Sequence, residues 1–261
     1  MSIEKAKEAF ALLVKEFEGL CYIPQVGPEN GDPHASQYFG APWMHKDEPW
    51  PKIGGRPAQF VLQLNVSTLP HLVRSLLGEG KLLQMFYADD RVDFADDLSQ
   101  MAHVRLVTSL EGGGPREQPT GIEGVIGEPR AILGWASAPE YPHPESSVIE
   151  TDFAEGVKAI NKLFGVDILK EVGTTEGEAD ADDTYQGDKL SGWPWWTQGD
   201  ETPLDSRGEK MIPLYQLDAG CFFDKCKHVP AYAPKLFAAE GTGHIFVSNT
   251  DPTELKFLWA C

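Results

Sequence analysis

Residues able to do chemistry are present in this chain, but they do not form a recognisable reaction centre. Cys221-x-x-x-x-Cys226-Lys227-His228 brings soft ligands of the kind tetrahedral zinc takes. Three ligands do not close a structural site. The fourth would have to be Cys261 or His244, and the spacing matches no standard zinc ribbon, so no metal is expected and no cofactor either. The acid runs Asp89-Asp90, Asp93, Asp96-Asp97 and Asp180, Asp182, Asp183 lack the alternating oxygen ligands, fixed Gly and distal Glu of a calcium loop, and read as solvated loops. No Gly-x-Ser-x-Gly, Walker A or Gly-x-Gly-x-x-Gly motif occurs. Seven scattered histidines single out no general base.

Two other patterns are more informative, because each occurs twice. Gly40-Ala41-Pro42-Trp43 and Gly192-Trp193-Pro194-Trp195 are Gly-x-Pro-aromatic loops. Each precedes a strand with polar residues two apart, Gln63-Leu64-Asn65 and Gln216-Leu217-Asp218. The prolines are 152 positions apart and the glutamines 153. Gly and Pro fix local backbone, so the loops read first as structural corners. Their aromatics, Trp43 and Trp50 in one copy and Trp193, Trp195 and Trp196 in the other, also offer a rigid recognition surface, and at least one of Trp195 and Trp196 is expected to face solvent. Gln63, Gln216 and Asp218 share a strand face with their neighbours two residues away. They either satisfy the preceding loop backbone or line a cleft between the copies.

These loops need elements to hold them. Ile3 to Leu20 carries apolar residues at helical spacing and predicts an amphipathic N-terminal helix. Tyr22–Pro57, rich in Pro and Gly, reads as ordered loop. Gln59–Asn65, Leu82–Tyr87, His103–Ser109 and Ile132–Trp135 read as strands, with a short helix through Leu77 after the first. Asp152 and Glu155 mark a helix start, and Gly165 its end. Glu171–Asp188 holds seven acids and no Lys or Arg, and reads as a mobile loop, with Gly173–Asp188 dispensable for folding. Met211–Asp218, His244–Ser248 and Lys256–Ala260 supply the second set of strands. The period is far beyond the roughly 20–50 residues of solenoids. It predicts one α+β domain over 1–261, built from half-repeats at about 36–110 and 187–261 and preceded by a helix.

The ordered set Ser36-Gln37-Tyr38-Phe39-Gly40-Ala41-Pro42, Trp50-Pro51, Phe60-Val61-Leu62-Gln63-Leu64-Asn65 and Gly80-Lys81-Leu82-Leu83-Gln84-Met85-Phe86-Tyr87 resembles the YwqG-like family. So do Lys189-Leu190-Ser191-Gly192-Trp193-Pro194, Gln198-Gly199-Asp200 and Leu214-Tyr215-Gln216-Leu217-Asp218. Gln37 stands where the family has Lys, and Ala41 where it has Gly. The resemblance implies an α+β fold with internal duplication. Some members resemble predicted immunity proteins of bacterial toxin systems, which act by binding.

Composition narrows the partners. The chain carries 22 basic and 40 acidic side chains, a net −18 shared equally by 1–150 and 151–261. It lacks the basic patch that nucleic acid or an anionic membrane surface requires. No 18-residue apolar run occurs, the N-terminus lacks a signal-peptide core, and four cysteines in a chain of this size suggest reduced thiols in the cytoplasm. The function expected is a non-enzymatic protein-binding module, and the resemblance implies an immunity-like partner of a bacterial toxin as its form. The alternative is a small-molecule or peptide binder, or a cryptic hydrolase, using a cleft between the halves.

Overall fold

The computed structural model describes residues 3–88, 101–122, 127–173, 184–220, 227–232, 237 and 241–260. In chain order it runs α1 (Ile3–Glu16), β1 (Gly19–Pro28), β2 (Gln37–Tyr38), β3 (Trp43–His45), β4 (Lys52–Ile53), β5 (Arg56–Pro57) and β6 (Gln59–Asn65). A 3₁₀ turn (Val66–Thr68) leads to α2 (His71–Leu76), β7 (Leu82–Tyr87), β8 (Ala102–Val107), β9 (Gly113–Pro115) and β10 (Arg130–Glu140). A π turn (Ile149–Phe153) opens α3 (Ala154–Phe164) and α4 (Ile168–Val172). The chain closes with β11 (Tyr185–Gln186), β12 (Lys189–Leu190), β13 (Ile212–Asp218), β14 (Lys227–His228), β15 (Thr242–Val247) and β16 (Leu255–Ala260).

Ten of these strands form one sheet in the order β16-β15-β13-β12-β1-β10-β2-β6-β7-β8. Its outer strands β16 and β8 return against each other, so the sheet nearly closes. The fold is mostly β, with an N-terminal helix and a few short ones. The main core lies on one face, with Leu62, Leu64, Leu83 and Met85 from one side and Leu214, Leu217, Ile245 and Val247 from the other. β7 and β15 are buried along their whole length, so their opposite face is covered as well. The covering groups are the Trp-bearing loops: Trp43 packs with Leu82 and Val107, and Trp196 with Met211 and Phe246. A separate apolar cluster joins α1, α3 and α4 through Ala6, Phe10, Phe153, Val157 and Ile168.

The two sides of the sheet share local registers. Gln37 pairs Gln63, and Lys189 pairs Gln216. Gln63 then pairs Gln84, and Gln216 pairs His244. The ladder slips between Phe60 and Leu62 on one side and between Pro213 and Tyr215 on the other.

Several expectations need correction. The N-terminal helix stops at Glu16, and Gly19–Pro28 is a strand at the centre of the sheet rather than loop. Pro24 is tolerated there because β12 covers β1 only at Tyr22, which leaves that flank of Pro24 without a ladder partner. The strand around Ile132–Trp135 extends over Arg130–Glu140, because β1 pairs along its length. Val166–Val172 resolves into α4, capped by Asp167, which accepts from the Lys170 amide. Gly165, with φ 68°, ends α3 as the sequence predicts. The acidic stretch is not all mobile loop: Thr184, Gln186 and Asp188 are buried. Residues 174–183 and the acids of 89–97 lie outside the described residues. Among the described residues, no helix is long and apolar enough to cross a membrane.

Candidate functional site

The doubled loops are built alike. Phe39 and Gly40 take positive φ (53° and 78°), as do Ser191 and Gly192 (60° and 82°). The Phe39 amide donates to the Val61 carbonyl and the Ser191 amide to that of Leu214, both at 2.9 Å. A Cβ at Gly192 would collide with the Glu140 carboxylate and with Cys21, so glycine is required there for space as well as for φ.

Gln63 and Gln216 hold these corners. Gln63 Oε1 accepts from the Trp43 amide at 3.0 Å, and its Nε2 donates to the Ala35 and Pro33 carbonyls at 2.9 and 3.1 Å. Gln216 Oε1 accepts from the Trp195 amide at 2.8 Å, and its Nε2 donates to Gly187 and Tyr185 at 2.8 and 3.3 Å. Gln84 donates to the Trp43 carbonyl at 2.7 Å, and His244 Nε2 lies 3.2 Å from the Trp195 carbonyl. Burial, then the Lys189 charge, lowers the His244 pKa to about 3, so this imidazole is neutral where it meets the Trp195 carbonyl. The glutamines therefore satisfy loop backbone.

The tryptophans are structural too. Trp195 and Trp196 are 7% and 1% exposed, which overturns the expectation that one faces solvent. Trp43 is equally buried, and Trp50 and Trp193 are half-buried. Trp50 Nε1 donates to the Ala58 carbonyl at 2.7 Å and Trp193 Nε1 to that of Phe17 at 3.0 Å. The second loop thus ties the N-terminal segment down. Burial of Trp43, Trp195 and Trp196 agrees with the loops as structural corners, and only the recognition surface expected of Trp195 or Trp196 falls, because spacing does not show which side a sheet will cover.

Beneath the second loop lies an ion pair that the sequence did not single out. Lys189 Nζ donates to Glu140 Oε2 at 2.7 Å and to the Trp193 carbonyl at 2.5 Å, and the two side chains are 1% and 0% exposed. Glu140 also accepts from the Trp193 amide at 2.7 Å and the Tyr185 amide at 3.2 Å. In the first loop Gln37 makes the matching contact to the Ala41 carbonyl at 3.1 Å without a charge. Burial, then the Glu140 charge, pushes the Cys21 thiol up to about 12, so it is no nucleophile.

Asp188 ties the end of β13 to the segment at Tyr232. Its carboxylate accepts from the Asp218 amide at 2.9 Å and the Tyr232 amide at 3.1 Å, beside the 2.5 Å hydroxyl contact between Tyr38 and Tyr215. Asp218 accepts in turn from Gly220, Thr242 and Gln186. Burial outweighs these donors and raises Asp188 to about 7. The folded state therefore holds this proton more tightly than the unfolded chain does. The stability it contributes is complete below about pH 4 and is lost as pH rises through about 7. His143 and His244, lowered to about 4 and about 3, act in the opposite sense at acid pH, so the parent must be compared with Asp188→Asn at each pH. Urea melts should show the parent's advantage over that variant shrinking by about 4 kcal/mol between about pH 4 and 7.

Solvent enters elsewhere. A cleft of about 320 Å³ is lined by His34, Asn65, Ser67, Arg74, Gly78 and Lys81, over Val66 and Leu110. A second, of about 230 Å³, lies between Asn30–Ser36 and the Ile132–Trp135 part of β10, with Thr68. The two share Asn65. Asn65 Nδ2 donates to the His34 carbonyl at 3.0 Å, its amide donates to Ser36 Oγ at 2.8 Å, and its Oδ1 accepts from the Ser67 amide at 3.0 Å. It thereby fixes the wall between the clefts. Of the residues singled out in sequence, the structure gathers Trp43 with Gln63, and Trp195 and Trp196 with Gln216, as loop supports, and none of these lines either of the two clefts. Cys221, Cys226 and Cys261 lie outside the described residues. Among the described residues no group of three or more His, Cys, Asp or Glu could hold a metal ion.

A family model described as a domain of unknown function (DUF1963) matches residues 36–259. No curated protein matches the chain.

Proposed function

We propose that this chain, which belongs to that family of domains of unknown function, is a binding protein whose ligand is a small molecule seated in the clefts that meet at Asn65. One contrast carries the reading. The Trp loops are buried scaffold, whereas the polar groups open to solvent converge on two adjoining concavities. Concave sites with a few placed polar groups suit small ligands. Buried Trp195 and Trp196 offer no aromatic surface to a protein partner.

The fold reading that goes with this is two copies of one unit with exchanged first strands. One unit is β1-β2-β6-β7-β8 and the other β10-β12-β13-β15-β16. β1 pairs β12 of the other unit, and β10 pairs β2. The matched registers, ladder slips and loop φ values support it. On this reading the repeat includes β1 and β10, α3 and α4 are an insertion, and the second cleft lies between the units. The ordered motifs support a YwqG-like assignment, and the free, buried thiol of Cys21 suits the reducing cytoplasm.

Affinity selection of a small-molecule extract by the parent and by Ser67→Trp, which fills the first cleft from an exposed position, tests the function. The parent should retain at least one compound that the variant loses. Identical retention by both, or none by the parent, would contradict it.

A further inference from the structure

Resting on the cleft reading, we propose that the first cleft is an oxyanion site. A small molecule bearing a carboxylate or phosphate places that group between Arg74 and Lys81.

Three segments line this cleft. Arg74 rides on α2, whose backbone is anchored by the Arg74 amide donating to the Pro70 carbonyl at 2.9 Å. Lys81 enters β7 with its amide on the Val107 carbonyl at 2.7 Å and its own carbonyl accepting from the Val66 amide at 3.0 Å. His34 stands opposite, on the segment that Asn65 ties down at 3.0 Å. The backbones are thus fixed, while the Arg74 and Lys81 side chains are exposed and their charged ends free to meet a ligand.

The charge pattern is the reverse of the rest of the molecule. The chain carries net −18, yet among the described residues no acid lines this cleft. Neither Arg74 nor Lys81 makes an ion pair with a described residue, although the acid Asp32 lies 3.9 Å from His34 Nδ1 at the rim. Two uncompensated cations over the apolar floor of Val66 and Leu110 focus positive potential where water is partly excluded. Arg presents a planar fork matched to two oxygens of one oxyanion, and Lys adds a mobile point charge. At about 320 Å³ the cleft has room for a small molecule.

The test is titration of the full chain, at constant ionic strength, with potassium phosphate, potassium acetate and potassium chloride, followed by amide chemical shifts. Phosphate or acetate should move the Ser67, Gly78, Gly80 and Lys81 amides saturably, and whichever binds more tightly identifies the group. Chloride should give no saturable shift there. Arg74→Gln and Lys81→Gln should each weaken binding about tenfold, since a charge-assisted hydrogen bond is worth that much. The distant Lys5→Gln should leave it unchanged. Equal response to chloride, no saturation with either oxyanion, or parent-like binding by the double variant would overturn the proposal. If both oxyanions fail while Ser67→Trp still abolishes retention of a neutral compound, the oxyanion site falls and the cleft reading stands.

Discussion

Lys189→Met is expected to destabilise the fold by about 3–5 kcal/mol, the cost of breaking a buried ion pair from one side. The variant leaves Glu140 charged, fully buried and without its cation. Glu140→Ala should cost more, because Glu140 also accepts from the Trp193 and Tyr185 amides, and those donors would be stranded with Lys189. The double variant Lys189→Met with Glu140→Gln should recover part of the loss, since no unpaired charge remains and the amide oxygen still accepts from one backbone donor. The matching position in the first loop provides the contrast. Gln37→Leu removes a neutral hydrogen bond to Ala41 and should cost only about 1 kcal/mol. Chemical denaturation of the four variants checks the order. A Lys189→Met protein as stable as the parent would mean that the pair does not hold the second loop.

Trp196→Ala is expected to destabilise the fold by about 3–5 kcal/mol, the range for deleting a large buried aromatic. The indole lies 6.2 Å from Phe246 at an interplanar angle of 10° and 5.0 Å from His244, with Met211 in the same cluster. Its removal opens a cavity between the loop and β15 that stiff strands cannot collapse to fill. A melting temperature close to the parent's would place this indole at the surface after all and revive it as a recognition group.

What the sequence made legible follows from how local each signal is. β6, β7, β13 and β15 are short apolar runs bounded by turn residues, and their boundaries fell within one or two positions of those observed. Gly165 announced its helix end because positive φ is a one-residue requirement. β1 was illegible because Pro24, Gly27 and Pro28 read as punctuation, and only the partner β10, more than a hundred residues away, makes them a strand. Asp188 was hidden among acids that look like a solvated run, although its own contacts are to Asp218 and Tyr232. Gln63 and Gln216 bond the preceding loop as the pattern suggests, and the loops are structural corners, but the exposure expected of Trp195 or Trp196 fails at the next step up. Burial of an aromatic depends on which face the sheet turns inward. The clefts had no sequence signal at all: Arg74 and Lys81 look like ordinary surface cations until α2 and β7 are packed at the end of β6.

The most direct measurement of the central claim is hydrogen–deuterium exchange of the full chain with and without the compound it retains from a small-molecule extract. The account predicts slowed exchange confined to the cleft walls at residues 30–36, 65–68, 74–81, 110 and 132–135, with the Trp loops at 40–43 and 192–196 unchanged. Protection centred on those loops, with none at 65–68, would contradict it.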